Sequence, residues 1–407
     1  MRGRRPTVWG CAGLALALLL LWMWRGSVVR SPQGPVSQPP PVSSPVSTVV
    51  NAVTEFGTAI NNRGSSTPGI QRAIDASVSR GGTVYLPPAT YDLRNQPLSL
   101  NHPGLVIEGG GDRTVLLGNA LLDIRANHLT LRNLRIVGSR EDRLSQVLAL
   151  SRDPRMHRNL SFENVTFENV SLVVGYVGAP MHSTSGAAAN LALASGVRSD
   201  VQVSHSRFKG YAADGALWVQ GADNVTISDS ELSQIGRSGA LVAGGAPIIA
   251  GDMIKFSYHA RGGRIMNNHL HDGRRDAIDL FDAIGVLVSG NQISDMGVSA
   301  VEAKYSTHDR VVGGHTIINN RATRVSQANR SVNAVAYQVS TSNTTVVGNV
   351  VSDSYGSGFR VGPAMDNARD LPSGTRLEGN RVVNVTGQGF VTAPGAGVTL
   401  VNNITEG

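Results

Sequence analysis

The sequence predicts an all-β chain wound as a solenoid, a single-stranded parallel β-helix with a short helix near its N-terminal end. Three observations predict it. An apolar residue, two spacers, Asn, one spacer and a second apolar residue form a unit in which Ile265, Asn268 and Leu270 return as Val288, Asn291 and Ile293 after about 23 residues, the length of one solenoid turn. Asn268, Asn291, Asn320, Asn349, Asn380 and Asn403 hold the same place in successive units, at spacings of roughly 23–31 residues. The 407 residues include 47 glycines and only 5% aromatics, which suits many tight turns and thin, repetitive strands better than long amphipathic helices. Turns of that length stack so that each layer's apolar residues cover the next, and stacked Asn side chains hydrogen-bond along the ladder. The absence of alternating long helical patterns argues against a βα barrel or a doubly wound sheet.

In chain order, residues 1–30 read as a signal anchor or signal peptide, residues 31–50 as a linker and residues 51–407 as the β-helix domain. The apolar run Val8 to Trp24 is flanked by Arg2, Arg4, Arg5 and Arg25, and its length of about 17 residues sits at the short limit for spanning hydrocarbon. No small-x-small cleavage site follows it, so an uncleaved anchor is expected, with the arginines inside and the rest of the chain exported. Cleavage and secretion is the alternative. The only cysteine, Cys11, precedes most of this run, which argues against lipidation and leaves the domain without a disulfide. The Pro/Ser-rich stretch that follows cannot bury a core and reads as an extended tether.

The formal charge of +7 carries little information about partners. Five of the 36 basic residues, Arg2, Arg4, Arg5, Arg25 and Arg30, precede the first acidic residue, Glu55, leaving 31 against 29 acidic ones beyond. A nucleic-acid partner therefore loses its main support, and a monomer is expected.

The first folded motif is PGIQRAIDASVSRGGTVYLPPATYDL, from Pro68 to Leu93. Ile70, Ile74 and Val78 fall on one helical face, stopped by Gly81 and Gly82, and Thr83 to Leu86 begins the strands. That face is expected to cover the open end of the first turn. Together with LVIEGGG at Leu105, this entry resembles the pectate-lyase and polygalacturonase superfamily of right-handed parallel β-helices, although the aspartates usual before the helix are missing from NNRGSSTPG. The resemblance implies a right-handed winding and a carbohydrate-active protein.

Beyond Leu105 come strand after short strand, interrupted by Met181 to Asp200 and by Gly244 to Gly263, both read as loops beside a binding groove. Lys255, Tyr258, His259 and Arg261 in the second are placed to reach a ligand. Asn-x-Ser/Thr recurs at Asn159, Asn164, Asn169, Asn224, Asn329, Asn343, Asn384 and Asn403, but Asn and β-branched Thr are also what the ladder demands.

The candidate site comes from the same offset, which carries Asp279 onto Glu302 and Phe281 onto Lys304. Alternation along each strand puts Ile278 and Leu280, Val301 and Ala303, Leu217 and Val219, and Phe359 and Val361 inside. It puts Trp218, Gln220, Asp279, Phe281, Glu302, Lys304, Gln338 and Arg360 outside, as one strip on neighbouring turns about 4.8 Å apart. Arg275, Asp276 and His308 crowd its edge. Aromatic faces with charged and amide groups suit a sugar chain, and adjacent carboxylates favour a cation or a proton between them.

RRDAIDLFD followed by DMGVSAVEAK resembles the polygalacturonase layout of TDGID, GDD and VAIK. Asp276, Asp279 and Lys304 match it, but Val298 and Ser299 replace the paired acids, and His315 is the nearest relic of Gly-His-Gly. That loss argues against an inverting hydrolase, which needs two placed carboxyls. In type and clustering, Asp279, Glu302, Lys304 and Arg360 resemble the alginate and chondroitin lyases of this fold. Their resemblance implies a calcium ion on Asp279 and Glu302 with help from Asp276, Lys304 as base, Arg360 as acid and His308 beside them. Trp218, Gln220, Phe281, Gln338 and Arg275 are then the substrate-binding residues. The expected function is an exported enzyme acting on an acidic polysaccharide by lyase or C5-epimerase chemistry. The alternatives are a non-catalytic glycan-binding or envelope-structural β-helix and a polygalacturonase-type hydrolase.

Overall fold

Every strand pairing among the described residues is parallel and joins a strand to its counterpart one turn along the chain, as the repeat requires. The structure, a computed structural model, describes residues 48–94, 96–118, 120–138, 145–151, 159–176, 199–210, 215–236, 251–305, 312–328, 334–363 and 371–407. The chain divides into Met1–Pro45, all outside these residues, and Val46–Gly407. The expected anchor at Val8 to Trp24 lies outside the described residues, and among those described no helix is long and apolar enough to cross a membrane.

The strands form a 23-stranded sheet and an 11-stranded sheet. The larger is two ladders that fuse where the long strands Thr130–Gly138 and Ser161–Glu168 run through both. Each turn therefore contributes one strand to the smaller sheet and two to the larger, and their inward side chains fill a continuous core of Leu, Ile, Val and Phe. Within it Phe167 stacks on Phe208, and Tyr337, Phe359 and Phe390 stack in turn with centroids 4.8 and 5.2 Å apart.

The six periodic asparagines form one ladder, buried from Asn268 to Asn380 and partly exposed at Asn403. Each Nδ2 donates to the Oδ1 of the next, from Asn268 through Asn403, at 2.9–3.0 Å. The ladder continues towards the N-terminus with smaller residues, Ser230 donating its backbone N–H to Asn268 and Ser206 its own to the Ser230 hydroxyl. The sequon residues Asn159, Asn164, Asn169, Asn224, Asn343 and Asn384 sit at left-handed turn positions, with φ of 51–56°. They are there for the turn, whose conformation Asn tolerates better than most residues.

The helix runs Thr67–Ser77 and continues as a single 3-10 turn, Val78–Arg80. Ile70, Ala73 and Ile74 are fully buried against the first strands. Val78 is not part of that face as expected: it is 53% exposed, because the tighter turn rotates it away. Gly69 is required by close approach, since a Cβ there would lie 2.5 Å from the Thr58 hydroxyl and 2.6 Å from its Cα.

The second expected loop is corrected. Asp252–Ser257, inside the stretch Gly244 to Gly263, is a strand of the 11-stranded sheet paired with Gly215–Gln220 on one side and Ile278–Phe281 on the other. The first expected loop lies outside the described residues except for Ser199 and Asp200.

Candidate active site

The outer face of the 11-stranded sheet carries the site. Strand register places Trp218, Lys255, Asp279, Glu302, Gln338 and Arg360 in one row along successive turns. A second row, two residues further along each strand, holds Gln220, Ser257, Phe281 and Lys304. In the same register two residues before the core pair Ile254 and Ile278 stand Asp252 and Asp276, with Ser299 on the next turn. The structure thus brings together all the expected residues except His308, which lies outside the described residues.

One member was missed, Asp252, and Lys255, expected on a loop beside the groove, stands on a strand within the row. Their signal was present: D-x-I-K-F at Asp252 to Phe256 repeats as D-x-I-D-L at Asp276 to Leu280, about 24 residues on and within the range of one turn. In the register of Ser299 the two preceding turns each carry an acid, Asp276 and Asp252, stacked on adjacent turns and not side by side on one.

Outward residues of this sheet are not open surface. Asp252 and Asp279 are 0 and 1% exposed and Gln338 is buried, its amide donating to the Ser340 hydroxyl at 2.9 Å and to the Gly362 carbonyl at 3.3 Å. The Glu302, Lys304 and Arg275 side chains keep 19, 14 and 31% of their surface. Buried carboxylates persist because cations are interleaved with them. The Lys255 ammonium lies 3.8 Å from Asp252 and 3.5 Å from Asp279, and the Lys304 ammonium 3.6 Å from Asp279 while it bonds Glu302. The Arg275 guanidinium reaches Asp252 at 3.6 Å and Asp276 at 3.9 Å. Both ammonium groups also flank the Phe281 ring, 5.6 and 5.7 Å from its centre. Trp218 is held by its indole N–H, which donates to the Ser257 hydroxyl at 2.8 Å.

These surroundings shift the titration of the cluster. Burial, then the charges of Asp279 and Asp276, push the Asp252 carboxyl well above the usual range. Burial raises Asp276 as well, against the opposing pull of Lys304 and of the Ser299 N–H that donates to it at 2.8 Å. Burial and the neighbouring Asp276 push Glu302 up to about 7 in spite of Lys304. For Lys304, burial works against the charge, yet Asp279, Glu302 and Asp276 together outweigh it and hold the ammonium protonated. This is the opposite of the neutral amine expected of a base.

Nor does the donor set fit calcium. The two lysine ammonium groups take up the oxygens of Asp279 and Glu302, and among the described residues no group of three or more His, Cys, Asp or Glu side chains could hold a metal ion. His315 stands apart, buried in the core, where Val286 donates its N–H to Nδ1 at 3.2 Å.

Among solved structures, the chain is similar to the catalytic unit of a thermostable GH87 alpha-1,3-glucanase from Streptomyces thermodiastaticus strain HF3-3, with a TM-score of 0.56 at 16% identity over 89% of this chain and 69% of that one. PfbA, a surface adhesin of Streptococcus pneumoniae, gives 0.55 at 14% over 88% and 90%. The N-terminal fragment of bacteriophage Phi29 gene product 12 gives 0.54 at 14% over 87% and 66%. No curated protein sequence matches. These likenesses show the fold. The family model described as "Right handed beta helix region" matches residues 189–361 and 254–407, more than half the sequence, and with the parallel, turn-by-turn strand register this places the chain in the right-handed β-helix family.

Proposed function

We propose that this protein is an exported enzyme that acts on an acidic polysaccharide by proton-transfer chemistry on uronate residues, as a lyase or C5-epimerase. One observation carries the reading: Glu302, a partly accessible carboxyl poised near neutrality, bonds Lys304 on an outer face that also carries the cations Lys255 and Arg275 on the two preceding turns. A cation beside the sugar carboxylate makes the C5 proton more acidic, and a carboxyl of pKa about 7 is a far stronger base than an ordinary one. Glu302 takes that proton. Lys304, held protonated beside it, is placed to give one to the leaving oxygen or to the opposite face of the ring. Trp218 and Phe281 supply stacking surfaces and Arg360 a further cation two turns on. No step runs through calcium. The Arg-flanked apolar run Val8 to Trp24 supports export, to the membrane's outer face or beyond.

Hydrolysis is the second reading, favoured by the acids Asp252 and Asp276 on adjacent turns, two carboxyls being what a glycosidase needs. The α-1,3-glucanase among the similar structures is compatible with it, as the adhesin is with glycan binding alone. The deciding experiment incubates the protein with pectic, alginate and glycosaminoglycan polymers and with neutral glucans. A rise in ultraviolet absorbance from an unsaturated uronate establishes the lyase, and solvent-proton exchange at C5 without cleavage establishes the epimerase. New reducing ends without absorbance move the assignment to the hydrolase. Binding without turnover on any of them leaves a lectin-like protein and sinks the enzyme.

A further inference from the structure

Four carboxyl groups and three cations share one buried patch. Asp252 and Lys255 come from one turn, Arg275, Asp276 and Asp279 from the next, and Glu302 and Lys304 from the third, linked by contacts of 3.9 Å or less. Among the described residues the neighbouring turns add no charge directly against it, presenting Trp218 on one side and Gln338 on the other, with Arg360 one turn beyond. His259 and Asp282 lie at the turn past Phe281. The two oxygens of Asp252, the two of Asp279 and Oδ2 of Asp276 are buried without a hydrogen-bond partner, so apart from the Ser299 N–H on Oδ1 of Asp276 it is the ammonium and guanidinium charges that favour their ionised forms.

We propose that binding of an acidic sugar at this face takes up a proton from solvent onto the Asp252–Asp276 carboxyl pair. The inference rests on the acidic-polysaccharide reading above. A sugar carboxylate arriving at Arg275, Lys255 and Lys304 brings a fifth negative group to three cations. Arg275 is the most exposed of the three and bridges two fully buried acids, so each increment of its charge spent on the ligand is withdrawn from Asp252 and Asp276. An ionised carboxyl without solvent or hydrogen bonds then costs more than a protonated one, and the proton settles there. The burial that already raises Asp252 and Asp276 acts in the same direction. The consequence is a site that binds acidic sugars more tightly as pH falls, by up to about tenfold per pH unit where one whole proton is taken up.

Calorimetry tests this on the full chain, titrated with galacturonate, mannuronate, guluronate and neutral glucose oligomers in buffers of different ionisation enthalpy at pH 7. The expected result is uptake of between about half a proton and one proton per acidic oligomer bound, none with a neutral oligomer, and much less uptake in Asp252→Asn. The variant is nearly isosteric. Should it fail to fold, the affinity of the unaltered protein at pH 6, 7 and 8 gives the same quantity. Binding of acidic oligomers with no proton uptake and no pH dependence overturns the coupling alone. Binding of none of them overturns the acidic-substrate reading and the coupling with it.

Discussion

His315 is a neutral imidazole enclosed in the β-helix core, and it should make the protein acid-labile over a defined window. Its Nδ1 accepts the Val286 N–H, so the ring proton sits on Nε2, which is buried without a partner. Burial alone lowers its pKa from 6.5 to about 4. The folded state therefore refuses a proton that the unfolded chain accepts. Stability is fully present above the unfolded value, near pH 6.5, and falls as pH drops towards the folded one, near pH 4. Across the whole window this one group withdraws about 3 kcal/mol, and by pH 5 about 2 kcal/mol. The raised carboxyls of the active face change stability in the opposite direction, so the comparison has to be differential. His315→Val removes the titration and orphans the Val286 N–H, a roughly constant loss of about 1–3 kcal/mol. Urea unfolding followed by tryptophan fluorescence at pH 7.5, 6, 5 and 4.5 gives the stabilities of both proteins. The gap between them should close by about 2 kcal/mol from pH 7.5 to 5. A gap that stays constant over that range would falsify the assignment of a buried, neutral His315.

Three further outcomes follow from the same structure. Asn320→Ala removes an amide that donates to the Val288 carbonyl and to Asn349 and accepts from both the backbone and the side chain of Asn291, so it should cost about 3–5 kcal/mol, against about 1 kcal/mol for Asn403→Ala at the ladder's end; equal losses in denaturant melts would remove the ladder as a source of stability. Tyr337→Phe deletes a buried hydroxyl with no hydrogen-bond partner while keeping the stack on Phe359, and should leave the melting temperature unchanged or raise it; a loss above about 1 kcal/mol would show that the hydroxyl is satisfied after all. If Glu302 is the base, kcat on the substrate identified should rise with pH through about 7, and Glu302→Gln should lower it by at least about a hundredfold and abolish that limb; a Gln variant that keeps both rate and profile excludes Glu302 from proton transfer.

Much of the fold was legible because its signals are strictly repeated. The Asn positions predicted one ladder, and the structure joins all six of them. The offset between neighbouring Asn units placed Asp279 against Glu302 and Phe281 against Lys304, which is the observed register. The errors lie where the repeat is stretched. Ser230 and Asn268 are 38 residues apart yet remain ladder neighbours, because additional residues enter between strands without disturbing the stacked positions. Spacing therefore hid the strand Asp252–Ser257, although its own residues announced it. Val78 was lost for a different reason, since a helical period carries no information about where an α-turn tightens into a 3-10 turn.

The site was legible in membership and much less so in chemistry, for a physical reason. Alternation along a strand separates the inside of a β-helix from the outside, but outside does not mean wet. Gln338 points outward and is buried, and Asp279 is 1% exposed, because neighbouring side chains cover them. In water the row would be a set of ordinary acids and bases, each near its usual pKa. Covered, every charge depends on its neighbours, and the order along the row decides which group holds the proton. Lys304 has three carboxyls around it and stays charged, while Glu302 has one close ammonium set against two buried acids and is left near neutrality. Exchanging those surroundings would exchange the roles of base and acid without altering a single residue type in the strip. The proton-transfer role we propose therefore goes to Glu302, with Lys304 as its donor partner, because the buried acids Asp276 and Asp279 raise the one while they hold the other charged.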